Sequence, residues 1–203
     1  MSGLTVPLSL PALVVSGFVG SLATVAVPGP ITLVASRLAL SRHLSSAVWF
    51  LVGVTALDVS EEAVGHIARN AARNKISNIE AHCVNVFDEL RRLERAGERY
   101  DMVVLDPPAF AKSKDAVDKA FAGYKEINLR ALKILRPGGT LVTCSCSYNI
   151  DEATFGQIVY EASIDARARV VVVEKRMQAR DHPVLLGVPE TYYLKCFIVR
   201  KIV

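Results

Sequence analysis

The chain has 203 residues, enough for one domain with a real core, and carries 24 Lys and Arg against 20 Asp and Glu for a net charge of +4. That balance excludes a strongly acidic or highly basic binding tail, and it suits a nucleic-acid partner without requiring one. The charge is unevenly spread: Arg37 and Arg42 are the only formally charged side chains before Asp58, so all 20 acids lie in residues 58–203.

The first 53 residues therefore form an atypical apolar segment. Leu10 to Ala26 has the hydropathy of a signal peptide or a membrane span. A signal peptide needs a basic lead, which is missing, and Pro7, Pro11, Pro28 and Pro30 with Gly17, Gly20 and Gly29 break the roughly 20 apolar residues a span requires. The reading favoured is a cytoplasmic chain without a membrane anchor. Ile31 to Ala35 can serve as a first strand and Arg37 to Phe50 as a first helix.

From Gly53 onward, apolar runs alternate with amphipathic patterns, which predicts an α/β, doubly wound, mostly parallel sheet covered on both faces. Gly53 to Asp58 reads as a buried strand ending in an acid, and Ser60 caps a helix running to about Asn74. Ile79 to Val84 is the next strand and Phe87 to Ala96 a charged helix. Tyr100 to Leu105 is a strand that runs into Asp106-Pro107-Pro108, where the prolines stop it. Asp115 to Leu135 is helical, with Val117, Ala120, Phe121, Tyr124, Ile127, Ala131 and Ile134 spaced as a buried stripe. Arg136-Pro137-Gly138-Gly139 ends that helix, and Thr140 to Cys146 is a strand. Asp151 to Ser163 is the last helix, and Ala168 to Glu174 with Tyr192 to Lys201 form an antiparallel edge pair.

Four strand ends carry the candidate chemistry. A carboxylate at the end of a strand, such as Asp58, can accept both hydroxyls of a ribose; the same acid can instead cap a helix or line a loop. Asn85 follows the next strand and can read an adenine edge through its paired donor and acceptor, or it is a turn residue with Asp88 as a helix cap. Asp106-Pro107-Pro108-Ala109-Phe110 makes a stiff loop with an acid and an aromatic wall, which suits a flipped base, although a plain proline turn has the same letters.

Thr143-Cys144-Ser145-Cys146-Ser147 ends a different strand, with Cys144 and Cys146 sharing one face. A thiolate there can add to C6 of a pyrimidine and make C5 nucleophilic; buried strand cysteines also serve simply as packing. Cys83, Cys144, Cys146 and Cys196 lack zinc-site spacing, and the Cys144-x-Cys146 pair has no nearby histidines, so no metal is expected and free thiols in a reducing compartment are. Arg91, Arg92, Arg95 and Arg99 are either RNA contacts or a solvated helix face, with the latter favoured.

These residues together carry a family resemblance. Val54 to Val203 resembles the PUA-linked class I methyltransferases that form 5-methylcytosine in bacterial 23S ribosomal RNA. Asp106 to Lys114 is similar to that family's substrate loop, Leu141 to Ser147 to its cysteine strand, and Asp181-His182-Pro183 with Pro189 to Lys195 to its carboxyl-terminal signature. The resemblance implies S-adenosylmethionine as cofactor and RNA as partner. It assigns Asp58 to the cofactor ribose, Asn85 to its adenine, where the family more often has Asp, and Asp106 to the cytosine edge. Pro107, Pro108 and Phe110 belong to the substrate side. Aligned from Gly138-Gly139, the position similar to the family's nucleophile is Cys146, with Cys144 second. The oligomeric state is left open, a homodimer among the options.

The front departs from the family. Its glycine-rich loop is expected about 17 residues before the ribose acid, which falls on Leu40-Ser41, and the PUA domain is absent. Residues 1–53 are therefore expected either to supply the first strand and helix or to derive from a shifted reading frame or misjoined gene start. Resequencing the locus separates the two. Competing readings are a protein of this fold that binds no cofactor, an amino-methyltransferase, against which Ala109 separates the aromatic from Pro108, and a membrane-anchored binding protein.

Overall fold

A computed structural model describes residues 11–16, 53–111 and 116–203. Their strands are β1 (Pro11–Ser16), β2 (Gly53–Asp58), β3 (Ile79–Cys83), β4 (Tyr100–Asp106), β5 (Leu135–Ser145), β6 (Val170–Arg176) and β7 (Lys195–Lys201). The helices are α1 (Glu61–Arg73), α2 (Val86–Arg95), α3 (Val117–Ile134) and α4 (Glu152–Asp165). The seven strands form one sheet in the order β3-β2-β1-β4-β5-β7-β6. The first five in chain order are mutually parallel, whereas β7 runs antiparallel to both β5 and β6.

The central position beside β2 and β4, for which Ile31 to Ala35 was the expected occupant, belongs to Pro11–Ser16. This corrects the sequence reading. Leu13, Val14 and Val15 are a short apolar run in a strand flanked by parallel neighbours on both sides, a pattern with no period to separate it from other apolar segments. Ile31 to Ala35, Arg37 to Phe50 and Leu40-Ser41 lie outside the described residues, as do Lys112 to Asp115. Part of the first 53 residues is thus integral to the sheet. In sequence, β1 runs directly into Gly17-Phe18-Val19-Gly20.

The remaining elements match their expected positions, with local differences. β5 starts at Leu135, pairs with Tyr100 and then shifts register before Met102 meets Thr140; the Gly138 backbone at φ +81° makes that irregularity possible. Tyr192 to Leu194 are not strand, because a 3-10 turn at Pro189–Thr191 delays β7 until Lys195. At this end of the sheet the edge strand is β6, since β7 is inserted between β5 and β6; β3 is the edge at the other end.

Helices α2, α3 and α4 share one core against the sheet. Leu90 and Leu93 of α2, Tyr124, Ile127 and Ala131 of α3, and Phe155 and Ile158 of α4 meet Leu57, Val103, Leu105 and Leu141 there. Aromatic contacts run through it: Phe87 to Phe110 at 6.2 Å between centroids, Phe110 to Tyr124 at 4.5 Å, Tyr124 to Phe155 at 5.7 Å and Phe155 to Phe197 at 5.3 Å. Such tilted and edge-on pairs add to simple area burial. A second, smaller cluster of Met102, Val104, Val142, Cys144, Cys196 and Ile198 lies on alternate strand positions, hence on the opposite face.

Arg91 and Arg92 of α2 are held in ion pairs. Arg91 binds Glu126 of α3 at 2.9 Å and Arg92 binds Glu89 at 2.7 Å, while Arg130 and Lys133 of α3 reach back to Glu94. All but Arg92–Glu89, which lies within α2, tie α2 to α3. Among the described residues, no helix is long and apolar enough to cross a membrane.

Candidate active site

Because β1 to β5 are parallel, their carboxyl ends, Ser16, Asp58, Cys83, Asp106 and Ser145, emerge on one edge of the sheet. Chain order reverses direction across the sheet at β1, and open α/β sheets hold their ligands at such a switch point. Asp106 is in register with Ser16, and Asp58 with Cys83.

Asp58 is 2% exposed. One of its carboxylate oxygens accepts the Ser60 N–H at 2.8 Å, and the Ser60 hydroxyl oxygen in turn accepts the Ala63 N–H at 3.2 Å to cap α1. The carboxylate is therefore fixed in direction by the turn that follows it. Asn85 is itself the cap of α2: its side-chain oxygen accepts the N–H of Phe87 at 2.9 Å and of Asp88 at 3.4 Å. The alternative in which Asp88 caps this helix is corrected, since Asp88 sits in the first turn and pairs with Arg91. With its oxygen committed, Asn85 presents its NH2 group to any ligand.

Asp106 is half-buried at the end of β4, and burial holds its carboxyl above the ordinary range for aspartate. Pro107 is buried and Pro108 exposed. The Phe110 ring is turned toward α3, against Tyr124 and the backbone of Gly123. The loop is stitched to the end of β5. Ala111 N–H donates to Ser147 Oγ at 3.1 Å, and Asn149 donates to the Ala111 carbonyl at 3.3 Å.

The two cysteines that compete in the sequence have different surroundings. Cys144 is 4% exposed and stands directly opposite Cys196 of β7. Its thiol is pushed well up by the hydrogen bond with Cys196 and by burial. Cys146 lies one residue past the end of β5, half-buried, with its thiol 3.8 Å from the Pro107 carbonyl. Burial and the neighbouring Asp106 carboxylate push the Cys146 thiol up, while the Lys195 ammonium pulls it down. Asp106, Pro107 and Cys146 are thus brought together; Cys144 is withdrawn into the opposite-face cluster.

Sequence reasoning assigned no part in the site to two residues that build it. Tyr124 places its hydroxyl 2.9 Å from Ser147 Oγ, and Lys195 donates to the Ser147 carbonyl at 2.7 Å. Tyr124 reads as part of a buried stripe, and Lys195 as a residue of the last strand and of the carboxyl-terminal signature. The detectable signal was a polar tip within each apolar pattern, which a buried environment must satisfy. Among the described residues, no group of three His, Cys, Asp or Glu is arranged to hold a metal ion.

A sheet in this order, parallel but for β7, with acids at the ends of β2 and β4, defines the Rossmann-like class I methyltransferase fold. Residues 39–184 match the methyltransferase domain family, and the chain belongs to it. Ribosomal RNA large subunit methyltransferase I of Tolumonas auensis is 43% identical over 148 residues, covering 72% of this chain and 37% of that protein. The Vibrio cholerae protein of the same name is 46% identical over 144 residues, covering 69% and 36%. The chain spans little more than a third of the length of these relatives. Among solved structures, SMU.776, assigned as a methyltransferase and complexed with SAH, superposes with a TM-score of 0.68 at 17% identity, covering 94% of this chain and 44% of that one. That last likeness is one of fold.

Proposed function

We propose that the chain is the catalytic portion of an S-adenosylmethionine-dependent RNA methyltransferase that forms 5-methylcytosine in large-subunit ribosomal RNA. The observation that carries this reading is the meeting of Cys146 with the Asp106-Pro107 turn at the ligand-binding edge of the sheet, the thiol 3.8 Å from the Pro107 carbonyl. The relatives' names, with identities of 43% and 46% over this part of their chains, support the RNA substrate.

The donor set fits the cofactor: a buried, directionally fixed carboxylate at the end of β2, a capping amide at the start of α2 and, in sequence, Gly17 and Gly20 directly after β1. Asp58 would hold the ribose and Asn85 the adenine through its NH2. The cofactor supplies an electrophilic methyl group. On the substrate side, Pro107, Pro108 and Phe110 shape a rigid wall beside the base. Asp106, held protonated more readily than an exposed acid, donates to the cytosine N3 and draws electron density from the ring. The Cys146 thiolate bonds to C6 as it does so, making C5 nucleophilic; after C5 is methylated, loss of its proton to a base lets the sulfur–C6 bond break and frees the thiolate. Cys144 is a reserve thiol that its pairing with Cys196 keeps protonated. The fold without cofactor binding, and methylation of an amine, are the outcomes that compete with this.

The test combines calorimetric titration with S-adenosylmethionine and mapping of labelled methyl groups on 23S RNA. Cofactor binding with label at cytosine C5, lost in Cys146→Ala, is the expected result. Label on an exocyclic amine, or full transfer by Cys146→Ala, would sink the proposal.

A further inference from the structure

Lys195, the first residue of β7, is 2% exposed. Its ammonium donates to the carbonyl of Ser147 at 2.7 Å and of Tyr193 at 2.9 Å. Among the described residues no carboxylate lies within ion-pairing distance of it. Burial pulls the ammonium down while Cys146 and the more distant Asp151 carboxylate of the α4 cap hold it up; burying it with only two carbonyls in direct contact is costly, and an ammonium has three N–H groups, of which two are used here. The carbonyl it grips belongs to the residue after Cys146. The charged or titratable groups around that thiol are Asp106 at the end of β4, Tyr124 of α3, Cys144 of β5 and Lys195 itself. Of these, Asp106 when ionised opposes a thiolate at Cys146, and the Lys195 ammonium favours it.

We infer that Lys195 is a positioning residue for Cys146, fixing the turn at Ser147 with its ammonium and supplying the positive charge that stabilises the thiolate. This rests on Cys146 being the nucleophile. It explains a buried cation that the packing alone would disfavour, since a neutral side chain of similar length would fill the same space without the desolvation cost. It also accounts for how a half-buried thiol beside an acid can ionise at all.

The experiment follows the rate of Cys146 alkylation by iodoacetamide against pH, read by peptide mass, in a Cys83→Ser background because Cys83 is exposed. Lys195→Gln keeps a donor for the Ser147 carbonyl without charge, Lys195→Met removes both, and Lys195→Arg keeps the charge. Circular dichroism establishes that each is folded. Both neutral variants should move the alkylation midpoint upward and slow the reaction about tenfold at pH 7.5, the lower end of what a nearby opposite charge produces, while Lys195→Arg stays within about threefold. Folded neutral variants with the parent profile overturn the inference. So does Lys195→Arg behaving like Lys195→Gln, or failure of both neutral variants to fold while Lys195→Arg folds, which would make the charge structural. A parent protein that shows the Lys195-dependent profile but transfers no methyl group leaves this inference standing and sinks the proposed function instead.

Discussion

The hydroxyl of Tyr124 lies 2.9 Å from Ser147 Oγ, and the same serine oxygen accepts the Ala111 N–H at 3.1 Å. One buried serine thereby ties α3, the loop after β4 and the end of β5 together. Tyr124→Phe keeps the ring contacts with Phe110 and Phe155 and removes only the hydroxyl, so it should cost about 1 kcal/mol. Ser147→Ala also strands the Ala111 N–H and should cost about 1–3 kcal/mol. Urea denaturation with an unchanged slope measures both, and the serine variant should be the worse of the two.

Cys144 and Cys146 should separate cleanly by what their loss affects. Cys144→Ala removes a buried sulfur from the cluster with Met102, Val142 and Ile198 and is expected to cost about 1 kcal/mol as a small cavity while methyl transfer persists. Cys146→Ala should leave the melting temperature nearly unchanged and abolish transfer. Reversal of the two phenotypes would make Cys144 the nucleophile.

Asp106 gives a pH signature of opposite sign to that of a salt-bridged acid. Burial raises its carboxyl in the folded state, so between the unfolded pKa of about 3.9 and the higher folded one, the native chain holds a proton that the unfolded chain releases. Its contribution to stability therefore falls as pH rises through that window, and the full penalty remains above it. Asp106→Asn should melt higher than the parent at pH 8 and converge with it below about pH 4. A parent that is equally or more stable at pH 8 would contradict the burial argument.

The glycine pair before the cysteine strand is expected to be intolerant for two different reasons. Gly138 has φ +81°, where an alanine is strained by about 1–2 kcal/mol. At Gly139 a Cβ would come within 2.9 Å of both the Arg136 carbonyl oxygen and a Leu135 methyl group, an overpacking that costs about 1–3 kcal/mol. Thermal melts of the two alanine variants test this, and a neutral Gly139→Ala would mean that β5 can shift at its bulge.

The site was legible where sequence alone dictates geometry. Two prolines after an acid end a strand whatever surrounds them, so Asp106, Pro107 and Pro108 were readable, as were the last two strands with their apolar runs Val170 to Val173 and Cys196 to Val199. β1 was not readable, because central strands of parallel sheets need not keep the period-two pattern and Leu13-Val14-Val15 looks like any apolar run. Lys195 was hidden for another reason: its partner is a carbonyl 48 residues away in the chain, and no local pattern announces that a strand-start lysine will be buried. Asn85 was weighed as ligand or turn, and the geometry gives its oxygen to the helix.

The position of β7 has a consequence for how the molecule assembles. β6 precedes β7 in the chain, and among the described residues it has no neighbour in the sheet except β7, so it is an unpaired apolar ribbon until β7 pairs with it, and Val171, Val172 and Val173 are exposed even in the finished fold. Such a ribbon invites pairing with other chains. β7 is also the strand that delivers Lys195 to Ser147, so one strand both covers a side of β6 and completes the surroundings of Cys146.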